Sequence, residues 1–82
     1  MCKLLSYNDW NGITVAHRKQ KEFRLTRTMG KVAVEVCTSP APPVWDVPML
    51  VGIVRMYNGE IVERQWHTSA EAARAAVEGW SV

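Results

Sequence analysis

Asn58-Gly59 stands between two runs of strand-forming residues and constrains this chain more than any other feature in it. The run before it, from Met49, reads Met-Leu-Val-Gly-Ile-Val-Arg-Met-Tyr; the run after it, to His67, reads Glu-Ile-Val-Glu-Arg-Gln-Trp-His. A two-residue hairpin turn that matches the twist of its strands needs positive φ at both central residues, which asparagine and glycine tolerate. The pair therefore predicts an antiparallel hairpin. With a two-residue turn, Met56 faces Ile61, Arg55 faces Val62, Ile53 faces Arg64 and Val51 faces Trp66. Apolar groups then fall on both sides of the ribbon, so the pattern marks neither face as the solvent face.

Upstream, the apolar stretch Cys2–Tyr7 reads as a first short strand, ended by the turn-forming Asn8-Asp9-Trp10-Asn11-Gly12. Ile13, Val15 and His17 then alternate with polar or small residues, as do Phe23 and Leu25, and Lys19-Gln20-Lys21-Glu22 lies between them. That pattern predicts a hairpin with a basic tip. After a turn at Met29-Gly30, Val32, Val34 and Val36 give the cleanest period-two alternation in the chain and predict a further antiparallel strand. All four prolines fall between Ser39 and Pro48, and since proline cannot donate to a ladder this segment is expected to be an extended loop inside a single domain spanning 1–82. Thr68-Ser69-Ala70-Glu71 has capping-box spacing, so a helix is expected from about Ser69, with Ala73, Ala76, Val77 and Trp80 along one side. The expected class is α+β: an antiparallel sheet of four or five strands with one C-terminal helix packed on one face. The other face has no second layer, and that uncovered face is the pointer to function.

Composition narrows the function classes. A chain of 82 residues has little room for a buried catalytic apparatus, and 48% hydrophobic with 22% charged residues fits a folded domain. No apolar run approaches the roughly 20 residues that cross a bilayer, and two cysteines without a CxxC pair fit neither a disulfide framework nor a common zinc spacing. A cytoplasmic protein with no membrane partner is expected. Cys37 with His17 or His67 lacks the strand-to-helix nucleophile turn, and Cys2, His17, Cys37 and His67 are too widely spaced for a tight ligand pair, so no catalytic residue, no metal and no cofactor is expected. The five glycines are dispersed and make no phosphate loop.

What remains is binding. The net charge of +2 hides an asymmetry, +4 from Met1 to Thr38 and −2 beyond it. Arg18, Lys19, Lys21, Arg24 and Arg27 make the first half basic, and its charge excess suits an acidic protein groove better than a duplex, leaving nucleic acid as the second choice. Of four tryptophans, Trp66 and Trp80 bracket the helix and are expected as a core pair. Trp10 and Trp45 sit in turn-like or proline-rich surroundings and are expected as contact anchors. Homodimerisation through uncovered faces or edge strands is an alternative.

The segment from Gly52 to Trp80, a hairpin, Trp66-His67-Thr68-Ser69-Ala70-Glu71, and a helix ending at Trp80, resembles two families. Its Asn-Gly hairpin, Thr/Ser cap and terminal tryptophan resemble small phage anti-CRISPR proteins. This resemblance implies a non-enzymatic inhibitor that occludes a surface of a nucleic-acid-handling complex such as the CRISPR surveillance complex Cascade. The same segment is similar to the arm-binding domain of phage tyrosine recombinases, which implies a small DNA-binding domain whose sheet enters the major groove. Against the latter, the hairpin carries Glu60 and Glu63 in place of a basic strand.

Overall fold

The computed structural model describes residues 4–80. In chain order it contains α1 (Tyr7–Arg18), β1 (Phe23–Met29), β2 (Val32–Pro40), a single 3₁₀ turn at Pro43–Trp45, β3 (Met49–Tyr57), β4 (Glu60–His67) and α2 (Ala70–Glu78). The four strands make one antiparallel sheet in the order β1-β2-β3-β4, which places the protein in the α+β class.

The main departure from the sequence reading is α1. The residues read as a turn and a strand, Asn8 to Arg18, are helical, and the basic stretch Lys19–Glu22 is the link from α1 to β1 rather than a hairpin tip. Of the expected first strand, Cys2 and Lys3 lie outside the described residues, Leu4 to Ser6 are not a strand, and Tyr7 already belongs to α1. The cause is local. The Ser6 hydroxyl accepts the Asp9 amide at 3.2 Å while the Asp9 carboxylate accepts the Ser6 amide at 3.0 Å, so a reciprocal cap satisfies two otherwise orphaned donors. Behind that cap, Trp10, Ile13 and Ala16 recur every three residues and are all buried, so the apolar stripe is helical despite the alternation of Ile13, Val15 and His17. Gln20, at φ 56°, turns the chain out of the helix, and the Thr38 hydroxyl donates to the Lys21 carbonyl at 2.6 Å, tying the link to the sheet.

In the sheet, Asn58 and Gly59 have φ of 57° and 83°, as the hairpin requires. The Asn58 amide donates to the Lys31 carbonyl at 2.8 Å and locks this turn against the β1–β2 turn. The register then shifts. Met56 pairs with Ile61, but Arg55 pairs with Glu63, so Val62 is an extra residue in β4. Every pair beyond moves by one: Ile53 faces Gln65 rather than Arg64, and Val51 faces His67 rather than Trp66. A one-residue slip exchanges the faces of a strand. Ser39 and Pro40, expected in the loop, pair with Leu50 and Met49 at the end of β2; β1 begins only opposite Thr38, so no β1 neighbour needs the missing proline donor.

One face of the sheet supplies Val34, Val36, Val51 and Ile53 to a cluster that includes Leu5 ahead of α1, Trp10 and Ile13 from α1, and Ala70 and Ala73 from α2. Phe23, Leu25, Ala76, Val77 and Trp80 pack around it. The cap of α2 is Ser69, whose hydroxyl accepts the Ala72 amide at 3.2 Å; Thr68 is one residue too early. Toward the β4 edge the same sheet face turns polar. Glu63 accepts from Arg55 at 3.4 Å, from the Trp80 indole at 3.2 Å and from the Gln65 amide, whose carbonyl pairs with His67 at 2.9 Å. The Arg55 guanidinium lies 5.5 Å from the centre of the Trp80 ring, so charge and indole fasten the end of α2 to the strands.

Candidate functional site

The register creates an uninterrupted cross-strand row on the face opposite the core: Arg24 opposite Cys37, Cys37 opposite Gly52, Gly52 opposite Trp66. A cation stands at one edge and an indole at the other, with a small thiol and a bare backbone between them. Gly52 explains the position of the indole. A Cβ at residue 52 would fall 2.5 Å from Cζ3 of Trp66 and 2.8 Å from Cε3, so the six-membered ring rests directly on the Gly52 backbone. The ring is nevertheless 44% exposed. Beside it opens a concavity of about 430 Å³ lined by Glu22, Phe23, Arg24, Cys37, Thr38, Ser39 and Trp66. The next row is Thr26, Glu35, Val54 and Arg64, so a second cation lies two residues from Trp66 on the same face. Arg24 meets Glu35 only at 3.7 Å and its side chain is largely exposed, whereas Arg64 makes no ion pair among the described residues.

The chemistry of this face is suited to binding. Burial pushes the Cys37 thiol above its ordinary value, against the opposite pull of the Arg24 guanidinium, which keeps the group a thiol at neutral pH. His67 faces Val51 on the core side of the sheet and hydrogen-bonds Gln65, while His17 approaches the Met49 carbonyl at 3.4 Å. No three residues among His, Cys, Asp and Glu converge as metal ligands among the described residues, and Cys2 lies outside them.

A second region occupies the end of the sheet where the two tight turns meet. Met29, Tyr57, Ile61 and Val62 are exposed there, the last two at 54% and 53%, and Met56 is half-buried beside Ile61. The bulge at Val62 contributes by placing two consecutive apolar side chains of β4 where the register has room for one.

The residues singled out from sequence are dispersed. Trp10 is 5% exposed on the buried side of α1 and is a core residue rather than a contact anchor; the turn that would have exposed it is helix. Arg27 is already engaged, with its guanidinium on both Asp9 oxygens at 2.9 and 3.3 Å, which fastens β1 to the start of α1. Arg18, Lys19 and Lys21 are exposed at the end of α1 and in the link to β1, and Arg24 is on the open face. Trp45 is exposed in the 3₁₀ turn. Trp66, expected in a core pair with Trp80, stands on the open face, while Trp80 is half-buried at the Glu63 network. The sequence signal for Trp66 is the glycine opposite it, legible only once the bulge is counted. Among the described residues no helix is long and apolar enough to cross a membrane. Comparisons with protein-family models, with curated proteins and with solved structures find no match.

Proposed function

We propose that the protein is a non-catalytic binding module that docks on another protein through the turn end of its sheet. The observation that supports this reading is that Met29, Tyr57, Ile61 and Val62 are all exposed at that end, Met29 and Tyr57 in one cross-strand row and Ile61 opposite Met56 on the other face, so that apolar side chains rim the turn end on both sides. Only Lys31 and Glu60 bring charge to the two turns, so the complementary surface is an apolar, shallow pocket rather than a charged groove. The resemblance of Gly52–Trp80 to phage anti-CRISPR proteins supports reading it as a phage-type inhibitor that occludes its target, with a CRISPR surveillance complex as the first partner to test. A duplex held against the sheet is disfavoured because the open face offers its many phosphates only Arg24 and Arg64 among the described residues, with Glu35 offsetting part of that charge.

The test compares wild type with a Tyr57→Ala/Ile61→Glu double variant, both positions being more than half exposed and thus tolerant of change. Each protein is offered to a bacterial lysate and to purified Cascade, with circular dichroism as the folding control. A partner held by wild type and lost by the variant supports the reading. Identical capture by both proteins, or tight duplex-DNA binding with a steep salt dependence and no protein partner, would overturn it.

A further inference from the structure

We infer that the concavity beside Trp66 binds single-stranded nucleic acid, with one base stacked on the indole and the flanking phosphates held by Arg24 and Arg64. The seat of the ring is the first argument. Because Gly52 supplies no side chain, the indole lies flat on the backbone, one π-face occupied by the sheet and the other turned outward. A flat, immobilised indole on an open sheet is a stacking surface that any base can use without sequence preference.

Charge placement is the second argument. Arg24 and Trp66 stand in one row three strand spacings apart, roughly 14 Å between backbones, and both side chains border the concavity. A nucleotide bridges such a gap because its planar base and its phosphate are held apart by the sugar. Arg64, one row along, adds a second cation past the indole, with Glu35 two strands away in the same row. Between the two walls the open-face side chains are small, Cys37 and Ser39, and the rim beside Arg24 also carries Glu22 and Phe23. The volume of about 430 Å³ suits one nucleotide, within the span of roughly 300–1,000 Å³ common to small-ligand sites. An acidic peptide could pair with the same arginines, but it would make no use of the indole's outward π-face. A duplex keeps its bases stacked inside and could not reach the ring.

This site is distinct from the apolar turn end, so the two readings fail separately. The experiment is fluorescence anisotropy of a labelled oligothymidylate of about twelve nucleotides, with a matched duplex, thymidine monophosphate and an acidic peptide as competitors. Saturable binding to the single strand is expected, with Trp66→Ala weakening it about tenfold and Trp66→Phe largely retaining it. Arg24→Ala is expected to weaken binding several-fold. With two phosphates engaged, raising salt from 50 to 200 mM should weaken binding about sevenfold. A Tyr57→Ala variant, altered on the opposite face of the sheet, should bind the oligonucleotide as wild type does. Absence of saturable binding, undiminished affinity in a folded Trp66→Ala protein, or stronger competition by duplex or acidic peptide would overturn the inference.

Discussion

Each strand of this sheet feeds two environments, and the contrast between them separates what holds the protein together from what it presents. On β2, Val34 and Val36 are buried while Glu35 and Cys37, their immediate neighbours, face the other way. On β3, Val51 and Ile53 are fully buried and Gly52 between them carries the indole of Trp66. The covered face is aliphatic until it reaches Arg55, Glu63 and Gln65, where a polar network grips the end of α2. The open face mixes arginine, hydroxyl, thiol and indole, and nothing in the packing of the core calls for that mixture. Period-two alternation thus lets a domain of this size spend half of each strand on stability and leave the other half for contact.

The largest effect is expected from the covered side. Ile53→Ala removes a fully buried side chain from the centre of the cluster and should cost about 2–5 kcal/mol, a large share of what a domain of this length possesses. Chemical denaturation would show a lowered midpoint at unchanged slope. A cost below about 1 kcal/mol would mean that the face does not carry the fold.

Gly52→Ala has a smaller effect on stability and a larger one on the open face. The new Cβ cannot coexist with the ring at 2.5 Å, so the indole must swing off the backbone, at a cost of about 1–3 kcal/mol. Unchanged Trp66 fluorescence together with unchanged oligonucleotide affinity would show that the seat does not matter.

The smallest effect concerns the pair that closes α1 on β1. The Ser6 amide holds the Asp9 carboxyl below its ordinary value, with the Arg27 guanidinium acting in the same direction against the opposing effect of burial. A carboxyl lowered in the folded state adds stability above its unfolded pKa and loses it as the pH falls through the folded value. The stability difference between wild type and Asp9→Asn should therefore be small at pH 7 and shrink further toward pH 3. A difference that grew with acidification would contradict the assignment.

Much of the covered face could be read in the residues, and the open face could not. Alternation placed β2, the Asn-Gly pair placed the β3–β4 turn, and the Ser69 region placed α2, because these signals are local. The helix α1 was hidden behind turn-forming asparagines and a short alternating stretch, although Ser6 with Asp9 and the three-residue spacing of Trp10, Ile13 and Ala16 carried it. The placement of Trp66 was hidden for a different reason. Trp66 goes to the open face because of one extra residue in β4, and a bulge is set by the fit of the whole sheet rather than by Val62 itself.

Single-strand binding requires the open face to be the face that meets the nucleic acid. A two-dimensional ¹⁵N NMR titration with the oligothymidylate tests this directly, since each tryptophan contributes its own indole resonance. The indole of Trp66 and the amides of Arg24, Cys37 and Arg64 should shift together, while the indole of Trp10 and the amides around Ala73 stay in place. Shifts concentrated on α1 and α2, with Trp66 unmoved, would contradict it.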